Sequence, residues 1–127
     1  MNIKSLSLLL VTICGSASAG YGTVNILNYT NDKTFSSVGF QCESSDKKTI
    51  INIPSMESLP PGGSIMIFNN GCQTGYHMQV VGEASGDWTY FQKCPIFNGQ
   101  TTNYPTYNTN NTYEFDVWDD DCNAKYW

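Results

Sequence analysis

An all-β fold is what this sequence predicts: an antiparallel β-sandwich or small barrel of about seven strands, stapled by two disulfides. Three observations predict it. Apolar residues recur at every second position and almost never at helical spacing. Gly, Pro and Asn interrupt the apolar runs every 8–15 residues or so. Cysteines are frequent for a chain of 127 residues.

The strands are expected in the following order. Residues 23–28 (TVNILN) place Val24 and Ile26 on one face, and residues 35–42 (FSSVGFQC) follow a turn at Asn31-Asp32-Lys33. Residues 48–53 (KTIINI) are β-branched and stop at Pro54. Leu59-Pro60-Pro61-Gly62-Gly63 is a hard turn, because two prolines and two glycines continue neither regular structure. Residues 64–69 (SIMIFN) are apolar on both faces, as in a central strand, and lead into the hairpin signal Asn70-Gly71. Residues 76–81 (YHMQVV), 88–93 (WTYFQK) and 112–118 (TYEFDVW) complete the set. In the last, Tyr113, Phe115 and Val117 should point inward, and Glu114 and Asp116 outward. No repeat or linker divides the chain, so one domain is expected over residues 20–127. Residues 98–111 resist strand assignment, and a polar loop of this length with Tyr104 and Tyr107 reads either as functional and exposed or as a connector.

Residues 1–19 read as a secretory leader: Lys4, a short apolar run, then Ala17-Ser18-Ala19 before Gly20. The apolar run is too short to span a bilayer and no second one follows, so a secreted, extracellular chain without a transmembrane segment is expected. Removing 19 residues from 127 leaves 108, and Cys14 departs with them, so five cysteines become four. Cys42, Cys72, Cys94 and Cys122 then form two disulfides in an oxidising compartment. Cys72–Cys94 with Cys42–Cys122 is the favoured pairing, on the supposition that Cys72 and Cys94 face each other on neighbouring strands. Cys42–Cys72 with Cys94–Cys122 is the close alternative.

Composition excludes more than it establishes. The chain carries six lysines, no arginine and eleven acidic residues. Losing Lys4 takes the formal charge from −5 to −6. Such a surface is a poor match for nucleic acid, whose phosphates need Lys/Arg contacts. It is also a poor match for direct attraction to anionic membranes. No phosphate-cradling glycine loop and no nucleophile elbow is present. One histidine without a CxxC pair gives no zinc pattern, so no metal and no cofactor is expected. His77 is either a structural strand residue or a general acid–base group paired with Glu57 or Glu83. Glu114, Asp116 and the run Asp119-Asp120-Asp121 read as a solvated acidic tail, or as a carboxylate pair of glycosidase type. The sequons at Asn28 and Asn110 are candidate glycosylation sites.

Aromatic residues crowd the second half and carry the binding hypothesis. Tyr104, Tyr107 and Trp118, with Trp88 and Tyr90 behind them, are the candidate ligand-contacting residues, since exposed aromatics stack on sugars, sit at membrane interfaces and anchor protein contacts.

A string of landmarks over about residues 24–117 resembles the aegerolysin family. They are an opening strand Val24-Asn25-Ile26-Leu27-Asn28, the turn Pro61-Gly62, the segment Cys72-Gln73-Thr74-Gly75, the run Tyr90-Phe91-Gln92-Lys93-Cys94-Pro95, and Asn110-Asn111-Thr112-Tyr113. The resemblance implies a β-sandwich that binds membrane sphingolipids. The sequence departs from that family in having Ile96 where a tryptophan follows Cys-Pro, in its leader, and in Cys42 and Cys122. In architecture the chain is also similar to small secreted cysteine-containing fungal effectors. The expectation is therefore a monomeric, non-enzymatic secreted binding protein, meeting a host protein, a membrane lipid or a carbohydrate as an effector or binding module. A small hydrolase or ribonuclease-like enzyme using His77 with an acidic partner is the alternative.

Overall fold

A computed structural model describes residues 21–55, 58–87, 89–100 and 102–127; the leader segment lies outside them. Two sheets pack as a sandwich with no closed barrel. One sheet has the order β4-β1-β6-β7, made of β4 (Ser64–Ile67), β1 (Val24–Asn28), β6 (Tyr113–Val117) and β7 (Cys122–Tyr126). The other has the order β3-β2-β5, made of β3 (Ile50–Pro54), β2 (Ser36–Glu43) and β5 (His77–Glu83). The first strand, the mid-chain β4 and the two C-terminal strands thus build one sheet, and β2, β3 and β5 build the other.

Period-two alternation sets the inner faces. Val24 and Ile26 of β1, Tyr113, Phe115 and Val117 of β6, and Met78 and Val80 of β5 are buried, as the pattern predicts. Phe35, Phe40, Phe97 and Tyr107 fill the space between the sheets. Most strand pairs are antiparallel, but β1 and β6 run parallel, in register from Val24↔Tyr113 to Asn28↔Val117. A parallel pair needs a long crossover, and the connection from β1 to β6 supplies it by building the opposite sheet on the way.

Four local expectations are corrected. A strand is expected over residues 88–93, but residues 89–93 do not form one: β5 is followed by a short helix, α1 (Thr89–Gln92). The Asp87 carboxylate accepts the Thr89 amide at 2.9 Å and hydroxyl at 2.7 Å, capping the turn. Phe91 then packs onto β5 over Gly82, where a Cβ would meet its ring at 2.8 Å. Second, β4 is an edge strand rather than a central one, so Met66 and Phe68 lie exposed on its outer side. Third, Asn70-Gly71 does not close a hairpin. It passes the chain from β4 in one sheet to β5 in the other, with Gly71 at φ 113°. Fourth, the residues after Asp121 are a strand, β7, turned back onto β6 through the Trp118 amide donating to the Asp121 carbonyl at 2.8 Å.

The two disulfides are Cys42–Cys72 and Cys94–Cys122, so the favoured pairing is wrong and its alternative is right. Cys94 follows α1 instead of ending a strand, which takes it away from Cys72 and sets it beside the first residue of β7. Cys72 sits in a turn held by Asn69, whose side chain accepts its amide at 2.8 Å and donates to its carbonyl at 2.9 Å. Two disulfides are consistent with an extracellular protein. Among the described residues no helix is long and apolar enough to cross a membrane.

Candidate functional site

The predicted binding tyrosines are mostly structural. Tyr107 is 0% exposed, corrected from an expected surface position. Its hydroxyl donates to the Gly22 carbonyl, and its ring stacks on Tyr113 with centroids 5.2 Å apart. Burial pushes its phenol well above the usual tyrosine range, and neighbouring Tyr113 adds to the effect. Tyr104 is half-buried, edge-on to Phe97 at 5.2 Å, and Tyr90 is half-buried against Phe35 at 5.7 Å. Through Tyr104 and Tyr107 the described part of residues 98–111 is therefore a strap anchored in the core. Trp88 lies outside the described residues. Of the five candidates only Trp118 is described as exposed, at 44%.

The sequons separate as well. Asn28 is 1% exposed and its amide nitrogen donates to the carbonyls of Lys33 at 2.7 Å and Leu59 at 2.9 Å. Its oxygen accepts the Thr30 hydroxyl and amide, so this residue is a buried turn organiser and not an accessible glycan acceptor. Asn110 is exposed.

His77 stands opposite Glu43 across the β2/β5 pair. Glu83 is at the far end of β5, opposite Ser36, and Glu57 lies outside the described residues. The acidic neighbour of His77 is thus Glu43, which sequence spacing did not suggest. Both line a groove of about 230 Å³ on the outer face of the three-stranded sheet. A ladder of amides crosses that face, Gln79 donating to Gln41 at 2.9 Å and Gln41 to Asn52 at 2.7 Å.

The outer face of the four-stranded sheet gathers a different set. Strand register aligns Met66, Asn25, Glu114 and Lys125 in one row, and Ser64, Leu27, Asp116 and Asn123 in the next. One step further along, Tyr29 follows β1 and Trp118 follows β6. The Tyr29 amide donates to the Val117 carbonyl at 2.7 Å, which carries the register on. Their rings stack at 4.5 Å with planes 13° apart, and Tyr29 is 42% exposed. The acidic residues read as a solvated tail therefore belong to a sheet face that ends in an aromatic plate.

Electrostatics on this face are uneven. Lys125 pairs with Glu114 at 3.1 Å. Glu114, and more weakly Asp116 and the Tyr29 phenol, strengthens the hold of Lys125 on its proton. Burial raises the Asp116 carboxyl above the usual carboxylate range; neighbouring Glu114 adds to this, and Lys125 opposes it. Asp116 Oδ1 and Asn25 Oδ1 are both shielded from solvent and accept no hydrogen bond. Next to them lies a shallow cavity of about 250 Å³ lined by Asn25, Leu27, Ser64, Met66 and Glu114.

Sequence reasoning missed Tyr29, Asn25 and Lys125. Alternation along Asn25, Leu27 and Tyr29 was visible, but the parallel register that sets Tyr29 against Trp118 was not. Among the described residues no group of three or more His, Cys, Asp or Glu side chains is arranged to hold a metal ion. Compared with family models, curated proteins and solved structures, the chain finds no match, among aegerolysins or elsewhere.

Proposed function

We propose that this chain is a secreted, non-enzymatic carbohydrate-binding module whose binding surface is the outer face of the four-stranded sheet. The observation that carries the reading is the stacked, half-exposed Tyr29–Trp118 pair lying in register with a field of hydrogen-bonding side chains. A pyranose ring presents an apolar face edged by hydroxyls. Such a ligand rests on an aromatic plate and reaches amides and carboxylates at its rim. A host surface polysaccharide fits the exported, acidic, disulfide-bonded character of the domain.

Calorimetric titration against a panel of soluble oligosaccharides, with sphingomyelin vesicles as a parallel arm, tests this. Trp118→Ala and Tyr29→Ala should each weaken glycan binding about tenfold or more while leaving the thermal midpoint nearly unchanged. Capture by vesicles alone, or glycan binding indifferent to both substitutions, overturns the assignment.

The groove containing Glu43 and His77 favours a second reading, in which that pair does acid–base chemistry on a polymer. Assay of the pure protein on RNA and polysaccharides beside His77→Ala decides it. Activity lost in that variant would establish the enzyme.

A further inference from the structure

We propose that the groove on the outer face of the three-stranded sheet is a second saccharide site, one that holds a single neutral sugar unit. The inference rests on the carbohydrate reading above and adds a site to it. The two outer faces point away from each other, so one domain engages two separate glycan segments.

Register builds the groove. The strands set Ile50, Glu43 and His77 in one row and Asn52, Gln41 and Gln79 in the next. Phe97 pairs with Met78 through backbone hydrogen bonds of 2.8 and 2.9 Å and adds a fourth column. Asn98 thereby joins the His77 row and Ile96 the Gln79 row, and both line the groove. Glu43, His77, Gln41 and Gln79 are half-buried and mark a patch about 5 by 7 Å. The volume of about 230 Å³ is that of about eight water molecules, so it admits one ring and not a length of chain.

Open hydrogen-bonding capacity converges on this space. Among the described residues neither Glu43 nor His77 makes an ion pair or a side-chain hydrogen bond. Gln79 donates to Gln41 and Gln41 to Asn52, which leaves the Gln79 oxygen without a donor among those residues. The open set is a carboxylate that only accepts, an imidazole whose neutral form donates and accepts, and an amide oxygen.

Other ligand classes fit this lining less well. An anion meets a carboxylate and no lining cation. An apolar ligand strips water from Glu43 and the amides and returns no hydrogen bond. An added peptide strand needs a free edge, and Phe97 closes this part of the β5 edge. Sugar hydroxyls meet the whole set, since each one both donates and accepts. Ile50 and Ile96, both exposed, flank the polar floor on opposite sides and cover the C–H edges of a ring. No aromatic ring lines the groove, so a sugar is held here by its hydroxyls, whereas on the Tyr29–Trp118 plate it stacks.

The test is NMR titration of the isotope-labelled full exported chain with the methyl glycosides of glucose, mannose and galactose, and with methyl glucuronide as the acidic control. At least one neutral glycoside should shift the side-chain amide signals of Gln41, Gln79 and Asn98, and Trp118→Ala should show the same shifts. Gln41→Leu and His77→Ala should each weaken that binding about fivefold or more. Methyl glucuronide should leave the groove signals of wild type in place and move them in Glu43→Gln, an effect that a purely structural Glu43 would not produce. Equal response of wild type to glucuronide and neutral glycosides overturns the selection by charge. Movement at the Trp118 indole alone overturns the second site and leaves the plate standing. Movement at the groove alone removes the plate and keeps the groove as the sugar site. Silence at both, here and against the oligosaccharide panel, overturns both readings. Methanol released in the same spectra, and lost in His77→Ala, makes the groove catalytic and overturns its assignment to binding.

Discussion

The Tyr107–Tyr113 and Tyr29–Trp118 ring pairs both stack nearly face to face, and they sit in opposite environments. Tyr107 and Tyr113 meet at 5.2 Å and 17° in the centre of the sandwich, where both are 0% exposed. Tyr29 and Trp118 meet at 4.5 Å and 13° on an outer face, with well over a third of each side chain in solvent. The buried pair has its polar handles engaged, Tyr107 on the Gly22 carbonyl and Tyr113 accepting the Asn108 amide at 2.7 Å. The open pair has carboxylates and amides beside it instead. Similar ring geometry therefore serves cohesion in one place and leaves a surface available for recognition in the other, because burial decides how much each ring contributes to folding.

Removing the buried ring should have the largest effect. Tyr107→Ala deletes a fully buried aromatic and its hydrogen bond, and should cost about 3–5 kcal/mol in urea unfolding. A cost below about 1 kcal/mol would show that the strap over residues 98–111 does not hold the sandwich together. Opening one disulfide should cost nearly as much. Cys42→Ala/Cys72→Ala and Cys94→Ala/Cys122→Ala release loops with sequence separations of 30 and 28 residues. Chain-entropy reasoning assigns about 3–4 kcal/mol to each. Peptide mapping of the unreduced protein checks the pairing itself, and a Cys72–Cys94 fragment would contradict the fold.

The alkaline limb sharpens the contrast between the pairs. Tyr107 binds its proton more tightly when folded than when unfolded, where the ordinary value is 10.0. Its contribution is complete below that value and is lost as pH rises through it, so stability should fall above about pH 10. The same experiment on Tyr107→Phe should show a flatter limb.

Smaller effects belong to the open face. Asp116 also binds its proton more tightly in the folded state, so it favours folding below the ordinary carboxylate range and loses that contribution as pH rises through its raised value. Asp116→Asn should thus be neutral or slightly stabilising at neutral pH, by less than about 1 kcal/mol, with the difference fading in acid. Trp118→Ala should change the unfolding free energy least, within about 1 kcal/mol, despite removing the larger ring. A loss comparable to Tyr107→Ala would make the outer plate a structural element and remove the basis for assigning it to ligand.

Local chemistry was legible where it is carried by neighbours in the chain. Alternation in β1, β5 and β6, the Pro60-Pro61-Gly62-Gly63 turn and an even set of four cysteines all read correctly, because period-two patterning and backbone restriction act over a few residues. Residues 88–93 read as a strand from their aromatic content. Asp87 capping and the docking of Phe91 on Gly82 outweighed that weak propensity. The run Asp119-Asp120-Asp121 read as part of a solvated tail, and it hid the pairing that β6 offers to the residues just after it.

What the amino-acid sequence determined by itself is an all-β domain with two disulfides, and an acidic, arginine-free composition that disfavours phosphate partners. Only the tertiary structure decided which tyrosines are interior, which cysteines pair, which carboxylate faces His77, and that Tyr29 and Trp118 form one plate. The reason is physical: alternation assigns side chains to faces within a strand, whereas a site is assembled by register between strands. The parallel pairing of β1 with β6 joins residues that lie 89 positions apart, at Val24 and Tyr113. No local preference encodes that register; it follows from burying both inner faces at once.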